Sequence, residues 1–177
     1  MIKLILSACL ITSTWVVSIY SLSVADANNG SVSFNNFRGK KILIVNTATG
    51  GDTAATRQIA ELQQLYLQHH DSLVVIAFPS NSFGNQPGTN AEIQAIMQGS
   101  YGVSFPVAVK SPVKGDSANI VYQWLHSKLQ NDMMNSGTVR DFQKYLVDET
   151  GRLVAKFDSA VNPLHTAIQS AVNRSYN

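Results

Sequence analysis

The hydrophobic positions of this chain alternate between continuous aliphatic runs and runs with helical spacing. Two continuous runs, residues 41–45 and 73–78, predict buried strands. Residues 54–69 lie between them and carry apolar side chains three and four positions apart, which predicts an amphipathic helix. Asp52 or Thr53 is placed to cap its first turn. A strand, a helix and a second strand in this order predict two parallel strands joined by a crossover helix.

The middle of the chain predicts a loop, a short helix and a third strand. Residues 79–89 are rich in Ser, Asn, Gly and Pro, as loops are. Asn90 follows as the expected cap of a helix that ends near Gly99. Residues 105–110 have the composition of a strand. Because Pro106 lacks a backbone N–H, this strand is expected to begin there or to lie at the edge of the sheet.

The last third of the chain predicts a helix, a strand hairpin and a closing helix. The first helix covers residues 117–130. Its inward face is expected to consist of Ile120, Val121, Trp124 and Leu125. Residues 144–148 and 152–157 predict a hairpin around Glu149-Thr150-Gly151, and residues 163–174 predict the last helix. The order β-α-β-α-β-α-β-β-α indicates an α/β fold with parallel strands early and an antiparallel hairpin late.

The composition indicates one ordinary globular domain. The chain has 177 residues, of which 45% are hydrophobic and 14% charged, so it is long enough to form a sizeable core. Its formal net charge of +2 gives no basis for binding nucleic acid or another strongly charged surface. The sequence contains no internal repeat and no low-complexity segment.

The N-terminus has the features of a targeting segment. Lys3 is its only positive charge, residues 4–24 are mostly apolar, and Ala25-Asp26-Ala27 forms a small-x-small pattern. These features predict a signal peptide over residues 1–27, cleaved after Ala27, and an exported domain, periplasmic or secreted, over residues 28–177. The alternative is an uncleaved membrane anchor through residues 4–24, since that stretch is about long enough to span a bilayer.

The chain has a single cysteine, Cys9, and it lies inside the predicted leader. Leu6-Ser7-Ala8-Cys9 resembles a bacterial lipobox, which leaves lipidation at Cys9 as a third interpretation of the N-terminus. Removal of the leader would leave a protein whose only sulfur is in methionine. Such a protein has no disulfide, no CxxC motif and no thiolate metal site.

Several sequence strings, in matching order, resemble the glutathione peroxidase family. They are GKKILIVNTAT at residues 39–49, QIAELQQLY at 58–66, FPSNSFGNQ at 78–86, FPV at 105–107, VKG at 113–115 and FQKYLVD at 142–148. The resemblance covers about residues 34–172. It implies a thioredoxin-like fold, with a mixed central sheet, helices on both faces and a C-terminal hairpin. It also implies hydroperoxide reduction in the oxidative stress response.

The resemblance breaks at the position of the catalytic cysteine or selenocysteine, which in this family follows the first strand at the start of the helix. Counting back from Gln58 and Glu61 aligns that position with Thr53, and a different placement of the gap aligns it with Gly51. Neither residue carries sulfur. Peroxide reduction by this family needs a sulfur or selenium atom that is oxidised and then reduced, and a threonine hydroxyl undergoes no such cycle.

Only one of the family's other catalytic positions is kept. Gln86 matches the family's glutamine, although Pro87 follows it where the family has a glutamate. Arg140 and Asp141 occupy the positions of the family's Trp-Asn pair, and we expect them to pair with each other or with solvent. The resolving cysteine of thioredoxin-dependent members falls near Gln98. The catalytic group is therefore expected to be eroded.

These changes predict an exported glutathione peroxidase-like protein without thiol catalysis, kept as a binding or structural module. The resemblance implies hydroperoxide or thiol ligands. We expect no cofactor and no nucleic acid partner, and a membrane only through the N-terminal segment. Thr53 is then a helix cap, and Gln86 bonds its own loop.

Three alternatives remain open. They are an enzyme that uses Thr53 with Asp52 as its base, a metal site built from dispersed histidines, and residual peroxidase activity that requires Cys9. The histidines are His69, His70, His126 and His165. Their spacing along the chain does not predict a metal site, so no metal ion is expected.

Overall fold

A mixed four-stranded sheet forms the centre of the protein, whose computed structural model describes residues 16–176. The six strands are β1 (Ser23–Ala25), β2 (Ser31–Ser33), β3 (Lys41–Thr47), β4 (Leu73–Pro79), β5 (Lys144–Val147) and β6 (Leu153–Phe157). The helices are α1 (Thr53–His69), α2 (Asn90–Tyr101), α3 (Ile120–His126), α4 (Lys128–Asn131) and α5 (Thr166–Asn173), with 3₁₀ turns at Ile19–Ser21 and Phe34–Phe37. The central sheet has the order β4-β3-β5-β6, while β1 and β2 pair separately. Within the described residues, no helix is both long and apolar enough to cross a membrane.

The predicted strand–helix–strand unit is confirmed. β3 and β4 are parallel, with Ile42 opposite Val74. Every residue of both strands is buried, which explains why their sequences are continuous aliphatic runs rather than alternating ones. Of the two candidate caps of α1, Asp52 is the cap, because its Oδ1 accepts a hydrogen bond from the Ala55 N–H at 2.7 Å. Thr53 is the first helical residue.

The C-terminal hairpin and the closing helix are also confirmed. β5 pairs antiparallel with β6 on one side and with β3 on the other. Gly151 makes the hairpin turn with a φ of 91°, a conformation that glycine adopts without strain. Asp148 stabilises the same turn by accepting a hydrogen bond from the Thr150 N–H at 2.9 Å. α5 begins at Thr166, three residues later than predicted, and its Ile168 and Val172 are buried.

The predicted cap of α2 is wrong by one residue. Thr89 caps the helix, since its Oγ1 accepts from the Glu92 N–H while the Glu92 carboxylate accepts from the Thr89 N–H. This reciprocal pair is a capping box, and it leaves Asn90 as the first helical residue. The helix ends two residues later than predicted, at Tyr101, where Gly102 has a φ of 63°.

The third strand expected over residues 105–110 is not formed. The segment makes only isolated bridges, from Val107 to Ala77 of β4 and from Ala108 to Asp26 near the N-terminus. Pro106 contributes a carbonyl to the Ala77 N–H but has no N–H of its own, so the ladder does not extend.

The helix expected over residues 117–130 is divided into α3 and α4. The chain is extended at Ser127, between the two helices. The buried side chain of Asn131 donates to the carbonyls of Trp124 and Leu125, and thereby satisfies groups that a continuous helix would have paired internally. Ile120, expected to face inward, is 50% exposed because it is the first residue of α3.

Each face of the central sheet carries its own hydrophobic core. On one face, Ile42 and Ile44 of β3 pack in a cluster with Tyr122 and Trp124 of α3. On the other face, side chains of β3 that point the opposite way, such as Leu43, pack with α1 and α5. Helices therefore cover both faces, as expected, and Tyr122 and Trp124 are core residues.

The C-terminal part of the predicted leader, residues 17–27, belongs to the fold. Ile19 is fully buried, and Leu22 is buried in the same core as α3. The Trp124 Nε1–H donates to the Val17 carbonyl at 2.6 Å, and β1 pairs with β2. The predicted domain start at residue 28 therefore disagrees with the described structure, because residues 17–27 are packed into the domain. Of the predicted span over residues 4–24, only residues 16–24 are described, so the membrane anchor stays a prediction. Residues 1–15, including Cys9, lie outside the described part of the chain.

Candidate active-site cleft

A cleft of about 590 Å³ opens where β3 ends and α1 begins. Four segments form its walls: the turn before α1 with the first turns of that helix, the loop after β4, the turn before β5, and the loop after β6. Its lining includes Gly51, Asp52, Gln58, Phe83, Asn85, Arg140, Asp141, Phe142, Ser159 and Asn162. The strand-to-helix turn places backbone N–H groups and the positive end of the α1 dipole at this cleft.

The turn between β3 and α1 presents Gly51 to the cleft. Gly50 precedes it and packs against the loop after β4, with its N–H donating to the Asn85 carbonyl at 2.9 Å. A Cβ at Gly50 would lie 2.8 Å from that carbonyl oxygen, so only glycine fits. A Cβ at Gly51 would lie 3.3 Å from the Ala55 Cβ, a tight contact that requires a shift of a few tenths of an ångström but meets no backbone atom. Thr53 is exposed on the first turn of α1 and does not line the cleft.

This placement bears on the two alignments of the catalytic position. Gly51 shares the cleft with Arg140 and Asp141, whereas Thr53 does not. The geometry therefore favours the alignment that puts Gly51 at the catalytic position. The carboxylate of Asp52 already accepts the N–H of Ala55, so it is engaged as the helix cap.

Gln86 stabilises the turn between β3 and α1 but does not line the cleft. It is fully buried, its Oε1 accepts from the Thr49 N–H at 3.0 Å, and its Nε2 donates to the Thr49 Oγ1 at 2.7 Å. A further contact runs from Nε2 to the carbonyl of Pro87. Gln86 thus bonds its own loop, as expected, and it also fixes the end of β3.

Arg140 and Asp141 both line the cleft, and of the two expected arrangements, pairing with each other or with solvent, the pairing with each other does not occur. The Asp141 Oδ2 instead accepts from Asn85 Nδ2 at 2.8 Å. The Asp141 Oδ1 is buried without a hydrogen-bond partner. Burial raises the pKa of the Asp141 carboxyl, and the bond from Asn85 acts in the opposite direction. The guanidinium of Arg140 remains exposed at the rim.

Two buried residues that the sequence interpretation missed hold this turn. The Asn46 Nδ2 donates to the Arg140 carbonyl at 3.0 Å, and the Asn46 carbonyl accepts from the Phe142 N–H at 2.8 Å. Lys144 is fully buried, and its Nζ donates to the Phe142 carbonyl at 2.7 Å. Both residues occupy strands, so the only available signal was a polar side chain inside an apolar run.

The four histidines do not converge. His69 and His70 end α1, and the His165 Nδ1 accepts from the Ala167 N–H at 3.1 Å as the cap of α5. The His126 Nε2 lies 2.9 Å from the Thr138 Oγ1, and burial lowers the pKa of that imidazole. Across residues 16–176, no group of three or more His, Cys, Asp or Glu side chains is arranged to hold a metal ion.

The fold and the cleft define a thioredoxin-like protein with its candidate site at the strand-to-helix turn. Solved structures agree, including the apo form of Trgpx, with a TM-score of 0.67 and 27% identity over 88% of this chain and 93% of that one. A thioredoxin family thiol:disulfide interchange protein from Chlorobium tepidum TLS shares the fold, with a TM-score of 0.65 at 12% identity over 89% of this chain and 97% of that one.

Sequence comparison identifies the family within that class. The family profile named Glutathione peroxidase matches residues 19–126. Glutathione peroxidase-like peroxiredoxin 2 of Saccharomyces cerevisiae is 37% identical over 161 residues, which cover 89% of this chain and 98% of the yeast protein. Glutathione peroxidase homolog BsaA of Bacillus subtilis is 33% identical over 83% of this chain and 92% of its own length. The chain belongs to the glutathione peroxidase family. Its profile match begins at residue 19, beyond Cys9, so the matched region contains no cysteine.

Proposed function

We propose that this protein is an exported glutathione peroxidase-like protein that lacks thiol peroxidase chemistry and keeps the family's cleft as a binding site. The observation that carries the proposal is Gly51, which lines the cleft at the start of α1 and has no side chain to oxidise. No cysteine stands elsewhere in the matched region. Hydroperoxide reduction by a thiol requires a sulfenic acid intermediate, and the cleft has no atom on which to form one.

The neighbouring residues support loss of the peroxidase reaction. Asp141 lines the cleft with a carboxyl group that accepts hydrogen bonds when ionised, whereas the amide expected there from the family would donate. A carboxylate beside a developing thiolate would also raise the thiol's pKa. The cleft itself is open and combines apolar side chains, such as Phe83 and Phe142, with a few polar ones, such as Asn85 and Asp141, which suits retention of a small ligand such as a hydroperoxide or a thiol.

Export is the second part of the proposal. The segment before residue 16 is apolar and carries only Lys3 as a charge, which is typical of a leader. Because Val17 and Ile19 are bound into the fold, we place any processing site before Val17 rather than after Ala27. Mass spectrometry of the protein recovered from the exported fraction tests this. A mature N-terminus before Val17 supports the proposal, and a protein retained with the cytoplasmic fraction contradicts it.

The activity test compares the full chain with two cysteine variants. Each assay measures consumption of hydrogen peroxide and of an organic hydroperoxide, with glutathione and then thioredoxin as reductant. Wild type is expected to show no turnover above the buffer rate. In a Cys9→Ser background, Gly51→Cys is expected to react with peroxide through a thiol in the cleft, and Thr53→Cys is the matched control with an exposed thiol. Turnover by wild type would overturn the proposed loss of activity.

A further inference from the structure

One residue of the cleft has a strained backbone. Phe142 has a φ of 62°, a left-handed conformation that a bulky side chain adopts only where its surroundings impose it. It directly follows Arg140 and Asp141, so the conformation of this turn determines how both side chains face the cleft. Contacts with the rest of the protein must therefore hold Phe142 in place.

Asn46 and Lys144 provide these contacts from two sides. The Asn46 carbonyl accepts from the Phe142 N–H at 2.8 Å, and the Asn46 Oδ1 accepts from the Gln143 N–H at 3.1 Å. The Lys144 Nζ donates to the Phe142 carbonyl at 2.7 Å. Asn46 and Lys144 are both fully buried, so water does not compete freely for these hydrogen bonds.

Lys144 also binds the wall of the cleft formed by α1. Its Nζ donates a second hydrogen bond to the Gln58 Oε1 at 2.6 Å. Gln58 Nε2 in turn donates to the Ser159 carbonyl at 3.1 Å. One ammonium group therefore joins α1, the turn at residues 140–142 and the loop at residues 159–162, which are three of the four walls.

We infer that Lys144 is a positioning residue of the cleft: its ammonium group keeps Phe142 in the strained conformation, and loss of its proton lets the turn that carries Arg140 and Asp141 relax. A charged donor forms hydrogen bonds roughly twice as strong as a neutral one, so deprotonation weakens the hold on Phe142 while the strain remains. The consequence for ligand binding rests on the proposed function, whereas the conformational change itself does not.

Burial of Lys144, opposed by the carboxylates around it, places this change near neutral pH. Burial lowers the pKa of Lys144 to about 7, while the carboxylates of Asp158 and Glu61 act in the opposite direction. Neither carboxylate forms an ion pair with Lys144 in the described structure. Hydrogen bonds from the Ala160 N–H and the Ser159 hydroxyl lower the pKa of the Asp158 carboxyl, and the charges of Arg140 and Lys144 act in the same direction. His126 is separate, since it bonds to Thr138 and its pKa is lowered by burial.

The test is an NMR titration of the ligand-free full chain from about pH 6 to about pH 9, around the midpoint expected for Lys144. The backbone amides of Arg140, Asp141 and Phe142 are expected to shift together, with the same midpoint as the ε-carbon signal of Lys144. In Lys144→Met this shared step should disappear. Lys156→Met is the matched control, because Lys156 is an exposed lysine that donates to Gly137 in the same loop region. It should leave the step in place.

Two results would overturn the inference. The first is a shared step that persists in Lys144→Met. The second is a wild-type titration in which the Lys144 signal shifts but the backbone amide signals of Arg140, Asp141 and Phe142 do not. This second result is obtained on wild type alone, so it does not depend on whether a variant folds. Because neither measurement uses peroxide or a ligand, failure here would leave the proposed function standing. Peroxidase turnover by wild type would overturn the proposed function without affecting the titration.

Discussion

Replacing Lys144 by methionine should remove a pH-dependent part of the protein's stability. An unfolded lysine keeps its proton up to about pH 10.4. The folded Lys144 releases it near pH 7, because burial lowers the pKa of its ammonium group to about 7. Between these two values the unfolded state binds more protons than the folded state. The free energy of unfolding of wild type should therefore rise with pH over this window.

The magnitude follows from the pKa difference. One pKa unit corresponds to about 1.4 kcal/mol, so the full difference between the folded value of about 7 and the unfolded value amounts to about 5 kcal/mol. Between pH 7 and pH 9.5 about 3 kcal/mol of this should be realised, since the folded amine is already half neutral at pH 7 and the unfolded one is still mostly charged at pH 9.5.

The assay is urea unfolding of wild type and Lys144→Met at several pH values across that window. The quantity of interest is the difference between the two free energies of unfolding. It removes the contribution of the tyrosines, including Tyr122 and Tyr145, whose pKa burial raises. The difference should change by about 3 kcal/mol in favour of wild type as the pH rises. Lys156→Met is the control and should show no such trend. A difference that stays constant within about 0.5 kcal/mol would refute the reasoning.

Three further predictions, two of them with a control substitution, are tested by urea unfolding, at neutral pH unless another pH is given. Ile19→Ala should lower the free energy of unfolding by about 2–5 kcal/mol, because Ile19 is fully buried. Val16→Ala is the control and should change it little, because Val16 is 57% exposed. Equal effects of the two substitutions would place residue 19 outside the fold. Tyr122→Phe should leave the free energy of unfolding unchanged or raise it, since the buried Tyr122 hydroxyl has no hydrogen-bond partner. Tyr20→Phe should lower it by about 1 kcal/mol, because the Tyr20 hydroxyl donates to the Glu149 carbonyl at 2.8 Å. Asp141→Asn should raise stability at neutral pH, because burial raises the pKa of the folded Asp141 above its unfolded value. The gain should shrink as the pH falls through the raised folded pKa, and it should be lost once the pH is below the unfolded pKa of about 4. A gain that does not change with pH would show that the Asp141 charge is not its source.

The elements that the sequence predicted well are those with an unambiguous local pattern. β3, β4 and the β5–β6 hairpin are short apolar runs bounded by turn residues, and α1 has a continuous apolar stripe. Residues 105–110 have a similar composition but pair only through isolated bridges. Strand pairing depends on which backbone groups face each other, and composition carries little information about that.

The residues of the candidate site also differ in whether the sequence or only the structure identifies them. Gln86 ends one of the recognisable strings, Arg140 and Asp141 directly precede another, and the structure places Arg140 and Asp141 in the cleft. The choice between Gly51 and Thr53 depends on where two extra residues are accommodated in a turn. Only the tertiary structure favours Gly51, because it places Gly51 in the cleft with Arg140 and Asp141 and leaves Thr53 outside. The roles of Asn46 and Lys144 arise from long-range contacts that no local pattern displays. Asn46 bonds to Arg140, which is 94 positions away in the sequence, and Lys144 bonds to Gln58, which is 86 positions away.

The sequence by itself determined the α/β class, the family resemblance and the absence of any cysteine other than Cys9, because these follow from local periodicity, from ordered strings and from a count. Only the tertiary structure showed that residues 17–27 pack into the domain. An apolar segment is equally suited to a membrane and to a protein core, since both remove it from water. Only the burial of Ile19 and Leu22, and the hydrogen bond from Trp124 to Val17, show that this segment completes the domain.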